Sequence, residues 1–206
     1  MNPFASSRLS EIYDGFAPEY DRGRALFDNQ SQLAMLAECI PGSADVLDVG
    51  CGSGMPVLNF SPERGDRVTG ADISPAMLAL AAQHVPAAQL IQADSAELNF
   101  NEKSFDLIVS FYSLFHLEVE RQLQAFARFF GMLRPEGLAC FTLASEKYTG
   151  ALEFCGTKVF AGVELPYGHI TPAAYREHLE EMGFTIESIE HRTIGGETML
   201  WVLVKK

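Results

Sequence analysis

The chain has 206 residues, 48% of them hydrophobic, enough to bury one sizeable core, and a formal net charge of -12 from 15 basic and 27 acidic residues. That balance disfavours nucleic acid, whose phosphates are bound by clustered Lys and Arg. Cys39, Cys51, Cys140 and Cys155 form no C-x-x-C pair, the N-terminus lacks a basic start followed by an apolar run, and no window reaches about 18 apolar residues. These features predict reduced thiols in a cytoplasmic protein with no stable membrane association.

In chain order, "SSRLSEIYDGFAPEYDRGRALF" is amphipathic and aromatic. It is expected to lie over the sheet edge or a ligand crevice, within a helical lid over residues 1–40. From 44 to 144, short apolar runs alternate with helical patterns, the mark of βαβ units and a parallel sheet. The strand candidates are "ADVLDV", "RVTGAD", "AQLIQAD", "FDLIVSF" and "LACFTL". In "SPAMLALAAQH", Ser74 suits a helix cap and Pro75 the first turn. A later helix is expected to bury a face of Leu123, Phe126, Phe130 and Leu133 and to end before Pro135. Residues 145–170 have aromatics and glycines without clean periodicity and read as a cap insertion. Residues 171–206 read as a helix capped by Thr171, then two antiparallel strands joined by Gly195 and Gly196. The whole is read as a single domain.

The chemistry starts at "LDVGCGSG", where Gly50, Gly52 and Gly54 follow the first strand. Bare backbone there permits a tight turn and close ligand approach, although a ligand-free turn has the same look. The spacing only half fits a dinucleotide fingerprint, because Met55 follows the third glycine. Asp72 ends the second strand, where a carboxylate can accept both ribose hydroxyls or simply face solvent. Asp94, with Ser95, ends the third, where it can read an adenine amino group or cap the next turn.

With "VTGADISPAMLALA", "LIQADSAELNF", "FDLIVSFYSLFHL" and "LRPEGLACFTL", the loop resembles the class I S-adenosylmethionine-dependent methyltransferases of small-molecule type (methyltransferase domain 11/25-like), over roughly Asp45 to Leu143. The resemblance implies a Rossmann-like α/β fold: a seven-stranded, mostly parallel sheet with an antiparallel last strand and helices on both faces. It implies S-adenosylmethionine as cofactor and S-adenosylhomocysteine as product. Asp48 and the Gly50, Cys51, Gly52 and Gly54 loop would hold the methionine part, Asp72 and Ile73 the ribose, Asp94 and Ser95 the adenine, and Ser110 and Phe111 the methyl-donor end. Cys51 also reads as a small apolar filler.

The acceptor is expected to be a small organic metabolite, methylated at N, O or C. "SFYSLFHL" lacks the Asn/Asp-Pro-Pro-aromatic motif of nucleic-acid amino methylation, and no acidic cluster after this strand suggests a metal. Tyr112, His116 and His169 are the catalytic candidates, each with a packing role as the alternative. Tyr13, Tyr20, Phe160 and Tyr167 are the expected acceptor walls. Two other functions share these signals: a nicotinamide-dependent oxidoreductase and a non-catalytic S-adenosylmethionine-binding module. Homodimer formation is left open by the sequence.

Overall fold

The computed structural model describes residues 2–23, 27–59 and 65–206. In order these form α1 (Ser6–Gly23), α2 (Gln30–Cys39), β1 (Asp45–Val49), β2 (Arg67–Asp72), α3 (Pro75–His84), β3 (Gln89–Gln92), β4 (Phe105–Ser110), a 3-10 turn (Leu114–His116), α4 (Val119–Met132), β5 (Leu133–Leu143), α5 (Glu146–Thr149), β6 (Phe154–Phe160), β7 (Val163–His169), α6 (Pro172–Glu181), β8 (Thr185–Ile194) and β9 (Glu197–Lys205). Seven strands form one sheet in the order β3-β2-β1-β4-β5-β9-β8, while β6 and β7 form a separate ribbon. The first five run parallel; β9 runs antiparallel to both β5 and β8. The expected Rossmann-like architecture is thus the observed one, with the topological switch point between β1 and β4.

Alternation along the strands divides the core. Leu47, Val49 and Ile108 face one side with Phe126, Phe129, Phe141 and Tyr175. Val46, Leu107 and Val109 face the other with Leu33, Leu36, Phe111 and Trp201. Buried on both faces, β1 and β4 read as near-continuous apolar runs, as central parallel strands do. Ser74 caps α3 by accepting from the Met77 amide, with Pro75 in the first turn, and Thr171 caps α6 through the Ala174 amide.

Two expectations are corrected. The core face of α4 is centred on Gln122, Ala125, Phe126, Phe129 and Met132; Leu123 and Phe130 sit at its margin, and Leu133 already belongs to β5. The apparently unpatterned cap is a short helix followed by the β6–β7 hairpin, paired from Phe154↔His169 to Phe160↔Val163. Its alternation is faint because β6 has no fully buried residue, and Gly156 and Pro166 interrupt the β-former pattern.

At the strands' N-terminal ends, Arg134 bonds Asp45 at 2.7 Å and Asp106 at 2.5 Å, and Arg67 joins Asp45 at 2.6 Å. Such partly exposed pairs each contribute about 0–1 kcal/mol. They tie together the end opposite the candidate site.

Candidate functional site

At the C-terminal ends of β1 to β4 lies a crevice formed by residues that include Gly50, Gly52, Asp72, Ile73, Asp94 and Ser95. The glycine loop is pinned to β2, since the Gly50 and Cys51 amides donate to the Ala71 carbonyl at 2.7 and 3.1 Å. Gly50 has φ +73°, and a Cβ there would stand 2.0 Å from Ser113 Oγ. Only glycine lets the loop pass this close to the segment after β4.

Asp72 receives the Gly52 amide at 2.8 Å on one carboxylate oxygen and the Ser74 amide at 2.9 Å on the other. Burial raises its pKa, while the amide bonds from Ser74, Gly52 and Ile73 oppose that rise. Three amide bonds do not fill the four lone-pair sites of a carboxylate, so Asp72 is oriented yet still able to accept from a ligand. Asp94 accepts the Ala96 amide at 2.9 Å, pairs with Arg121 at 3.0 Å and takes a short hydrogen bond from the Ser6 hydroxyl.

Helix α1 lies across this end of the sheet through two adjacent stripes. Ser6, Ser10 and Asp14 recur every fourth residue, the spacing of one helical face. Ser10 donates to the Ile73 carbonyl at 3.1 Å, and Asp14 accepts from Ser74 Oγ at 2.5 Å and from the Ala76 amide at 3.0 Å. The Asp14 charge thereby sits at the N-terminus of α3, where the helix dipole favours it. The second stripe brings Leu9, Tyr13 and Tyr20 onto the crevice wall, with Phe16 buried behind them.

A narrow aromatic chamber adjoins the crevice, and Tyr13, Tyr20, Tyr112 and His116 line both. His116 Nδ1 lies 2.7 Å from the Pro166 carbonyl. A carbonyl only accepts, so Nδ1 carries the proton and Nε2 is left as an acceptor. The Tyr13 hydroxyl, 2.8 Å from Nε2, therefore donates to it. Burial lowers the His116 pKa to about 4 and holds that of Tyr13 well above the usual phenol value, so both are neutral near pH 7. Tyr112 has φ +60°, a costly conformation for a bulky residue, held by its amide donating to Thr142 Oγ1 at 2.6 Å.

Phe160 and Tyr167 line the chamber rather than the crevice. Other candidates lie on neither wall. Asp48 is 3% exposed on β1, although its charge reaches the loop and helps hold the Cys51 thiol undissociated. Ser110 donates to the Val49 carbonyl at 2.7 Å, tying β4 to β1, and Phe111 packs on Trp201 with ring centroids 4.9 Å apart. Cys51 and Gly54 are buried within the loop. His169 is buried against Thr149 Oγ1 at 2.7 Å, with its ring stacked on Phe154. The positions after β4 that do reach the crevice are Tyr112, Ser113, His116 and Leu117.

Sequence reasoning missed Leu9, Phe27, Met77, Ser113, Phe115, Leu117 and Glu197 as lining residues. The fourfold spacing of Ser6, Ser10 and Asp14 was a usable signal for the α1 contacts. Glu197 carried none, since it follows a two-glycine turn like any surface acid. Among the described residues, no group of three or more His, Cys, Asp or Glu could hold a metal ion, and no helix is long and apolar enough to cross a membrane.

A methyltransferase-domain family model matches residues 46–137. An S-adenosylmethionine-dependent methyltransferase of Mesorhizobium loti superposes with TM-score 0.71 at 22% identity, covering 86% of this chain and 97% of that one. Residues 46–137 thus match a methyltransferase domain, and the fold around them is that of S-adenosylmethionine-dependent methyltransferases. This methyltransferase domain also matches a dTDP-3-amino-3,6-dideoxy-alpha-D-glucopyranose N,N-dimethyltransferase of Streptomyces fradiae, at 29% identity over 138 residues, 65% of this chain and 52% of the relative. Its fold is shared by the 1,6-didemethyltoxoflavin-N1-methyltransferase of Burkholderia thailandensis, solved with bound 1,6-didemethyltoxoflavin and S-adenosylhomocysteine (TM-score 0.70, 23% identity, 98% of this chain, 90% of that one). The chain spans 56%, 64% and 52% of the length of three curated relatives.

Proposed function

We propose that the protein transfers the methyl group of S-adenosylmethionine to a small organic acceptor. The observation that carries this reading is the junction of two cavities. One has a glycine loop and two strand-end carboxylates, the other has aromatic walls, and Tyr13 and His116 line both. The donor set fits the cofactor: Asp72 suits a ribose diol, Asp94 and Ser95 suit an adenine edge, and the Gly50–Gly52 backbone suits the amino-acid end, with the buried Asp48 charge beneath favouring its ammonium. When bound, the cofactor supplies an electrophilic sulfonium methyl.

The rest of the work falls to the chain. Methyl transfer is an in-line displacement, so alignment and exclusion of water contribute most. Helix α1 closes the crevice from above, while Tyr112, Phe115 and Tyr167 hold an acceptor ring against the shared wall. His116 Nε2 is the proton-accepting atom at that junction. Its tautomer is fixed by the Pro166 carbonyl, and an acceptor hydroxyl or amine can replace the Tyr13 hydroxyl on it or act through that hydroxyl. Titratable neighbours bias the assignment toward N or O acceptors.

The relatives act on an amino sugar and on didemethyltoxoflavin, both small molecules by their names, which supports a metabolite rather than a macromolecular acceptor. Incubating the protein with methyl-labelled S-adenosylmethionine and a metabolite extract tests the proposal. A labelled small product with equimolar S-adenosylhomocysteine is expected. Labelling confined to nucleic acid, or no cofactor turnover with any fraction, would refute it.

A further inference from the structure

The aromatic chamber has one charged group that methyl transfer does not use. Glu197, first residue of β9, lines it beside Phe27, Phe160 and Tyr167. Tyr148, from α5, stands 3.2 Å from Glu197 Oε1 and 3.2 Å from the Tyr167 hydroxyl of β7. Its single proton can serve one acceptor at a time, and the carboxylate is the stronger one. Three elements therefore converge to fix Glu197 in place.

The charge of Glu197 has no contact counter-ion among the described residues. Lys158 approaches, but its ammonium donates to the Tyr148 carbonyl at 2.8 Å and lies 4.9 Å from the centre of the Tyr148 ring. Burial raises the Glu197 pKa, as expected for a carboxylate whose charge is under-compensated. A half-buried carboxylate among ring faces is best matched by an ammonium or N–H donor, which bonds the acid and is also attracted to the rings.

The position of Glu197 sets which part of a ligand it meets. Tyr13, Tyr20, Tyr112 and His116 line both the crevice and the chamber, whereas Glu197 lines the chamber but not the crevice; it also borders an open cleft beside Phe16, Tyr20, Phe27 and Phe160. A group held by Glu197 is therefore on the side away from the reacting centre. Resting on the methyl-transfer reading above, we infer that the acceptor is a flat aromatic or heteroaromatic compound bearing a protonated amine or N–H donor, and that Glu197 binds this nitrogen as a recognition group distinct from the methylated atom. Tyr148 is a positioning residue for Glu197.

Calorimetric titration at neutral pH with two probes of one ring system, tryptamine and indole-3-propionate, tests this. Each is titrated with and without saturating S-adenosylhomocysteine. Wild-type protein is expected to bind tryptamine at least tenfold more tightly, Glu197→Gln to reduce that preference below threefold, and Tyr148→Phe to fall between. Equal affinity for the two probes, no binding of either, or an unchanged preference in a folded Glu197→Gln protein would overturn the inference. If Glu197→Gln does not fold, the wild-type ratio and the Tyr148→Phe ratio still decide it. The two readings separate cleanly. S-adenosylhomocysteine binding without amine preference sinks only the Glu197 assignment, and amine preference without S-adenosylhomocysteine binding sinks the methyl-transfer reading and leaves Glu197 an amine-binding group with no methyl acceptor to recognise.

Discussion

Replacing Gly50 by alanine probes the cofactor loop at its tightest point. The new Cβ would lie 2.0 Å from Ser113 Oγ and 2.3 Å from Ser113 Cβ, on a residue with φ +73°. The left-handed conformation costs an L-residue about 1–2 kcal/mol. Overpacking against Ser113 adds about 1–3 kcal/mol. The sum, about 2–5 kcal/mol, corresponds to a loss of roughly 30-fold or more when read as ligand affinity. Adding Ser113→Gly removes both obstructing atoms, so the double variant should recover the steric part and keep only the backbone part. Calorimetric S-adenosylhomocysteine affinity and urea midpoints for the two single variants and the double variant make a closed cycle. Affinity within twofold of wild type in Gly50→Ala, at an unchanged midpoint, would refute the reasoning. A double variant no better than Gly50→Ala would show that the approach to Ser113 is not the constraint.

Three further outcomes follow from the same geometry. Asp72→Ala should weaken S-adenosylhomocysteine binding by about 1–3 kcal/mol, the loss expected for hydrogen bonds to a charged group; calorimetry on the folded variant measures it, and unchanged affinity removes Asp72 from the site. Tyr13→Phe leaves buried His116 Nε2 without its donor, so the urea midpoint should fall by an amount equivalent to about 1–3 kcal/mol and the transfer rate by roughly tenfold or more; wild-type values for both would remove the pair from the account. The folded pKa of His116, about 4, lies below its unfolded value, so the unfolded state takes up its proton first as pH falls. The resulting stability loss begins near pH 6.5, reaches about 2 kcal/mol by pH 5 and levels off below pH 4. Comparing urea stability of wild type and His116→Gln at pH 7 and pH 5 isolates this contribution, because Asp72, whose raised pKa acts in the opposite sense, is present in both. Equal pH sensitivity of the two proteins would count against a buried neutral His116.

Local signals made the sheet readable. Runs such as "VLDV" and "FDLIVS" are apolar because they are buried on both faces, and Ser74-Pro75 and Thr171-Pro172 mark helix starts by their own chemistry. The crevice was readable for the same reason, since Gly50, Asp72 and Asp94 each end a recognisable strand. The residues beyond them depended on contacts between distant elements. The His116 tautomer is set by Pro166, fifty positions along the chain, and Glu197 gains meaning only beside Tyr148 and Tyr167. His169 shows the converse: its place beside a cap suggested an acceptor contact, yet bonds to Thr149 and the Ile170 carbonyl hold it inside the hairpin's base.

The most direct measurement is calorimetric titration of the purified protein with S-adenosylhomocysteine and, separately, with NADH. The account predicts one-to-one binding of S-adenosylhomocysteine that weakens in Asp72→Ala, with no heat from NADH. Saturable binding of NADH without any response to S-adenosylhomocysteine would contradict it.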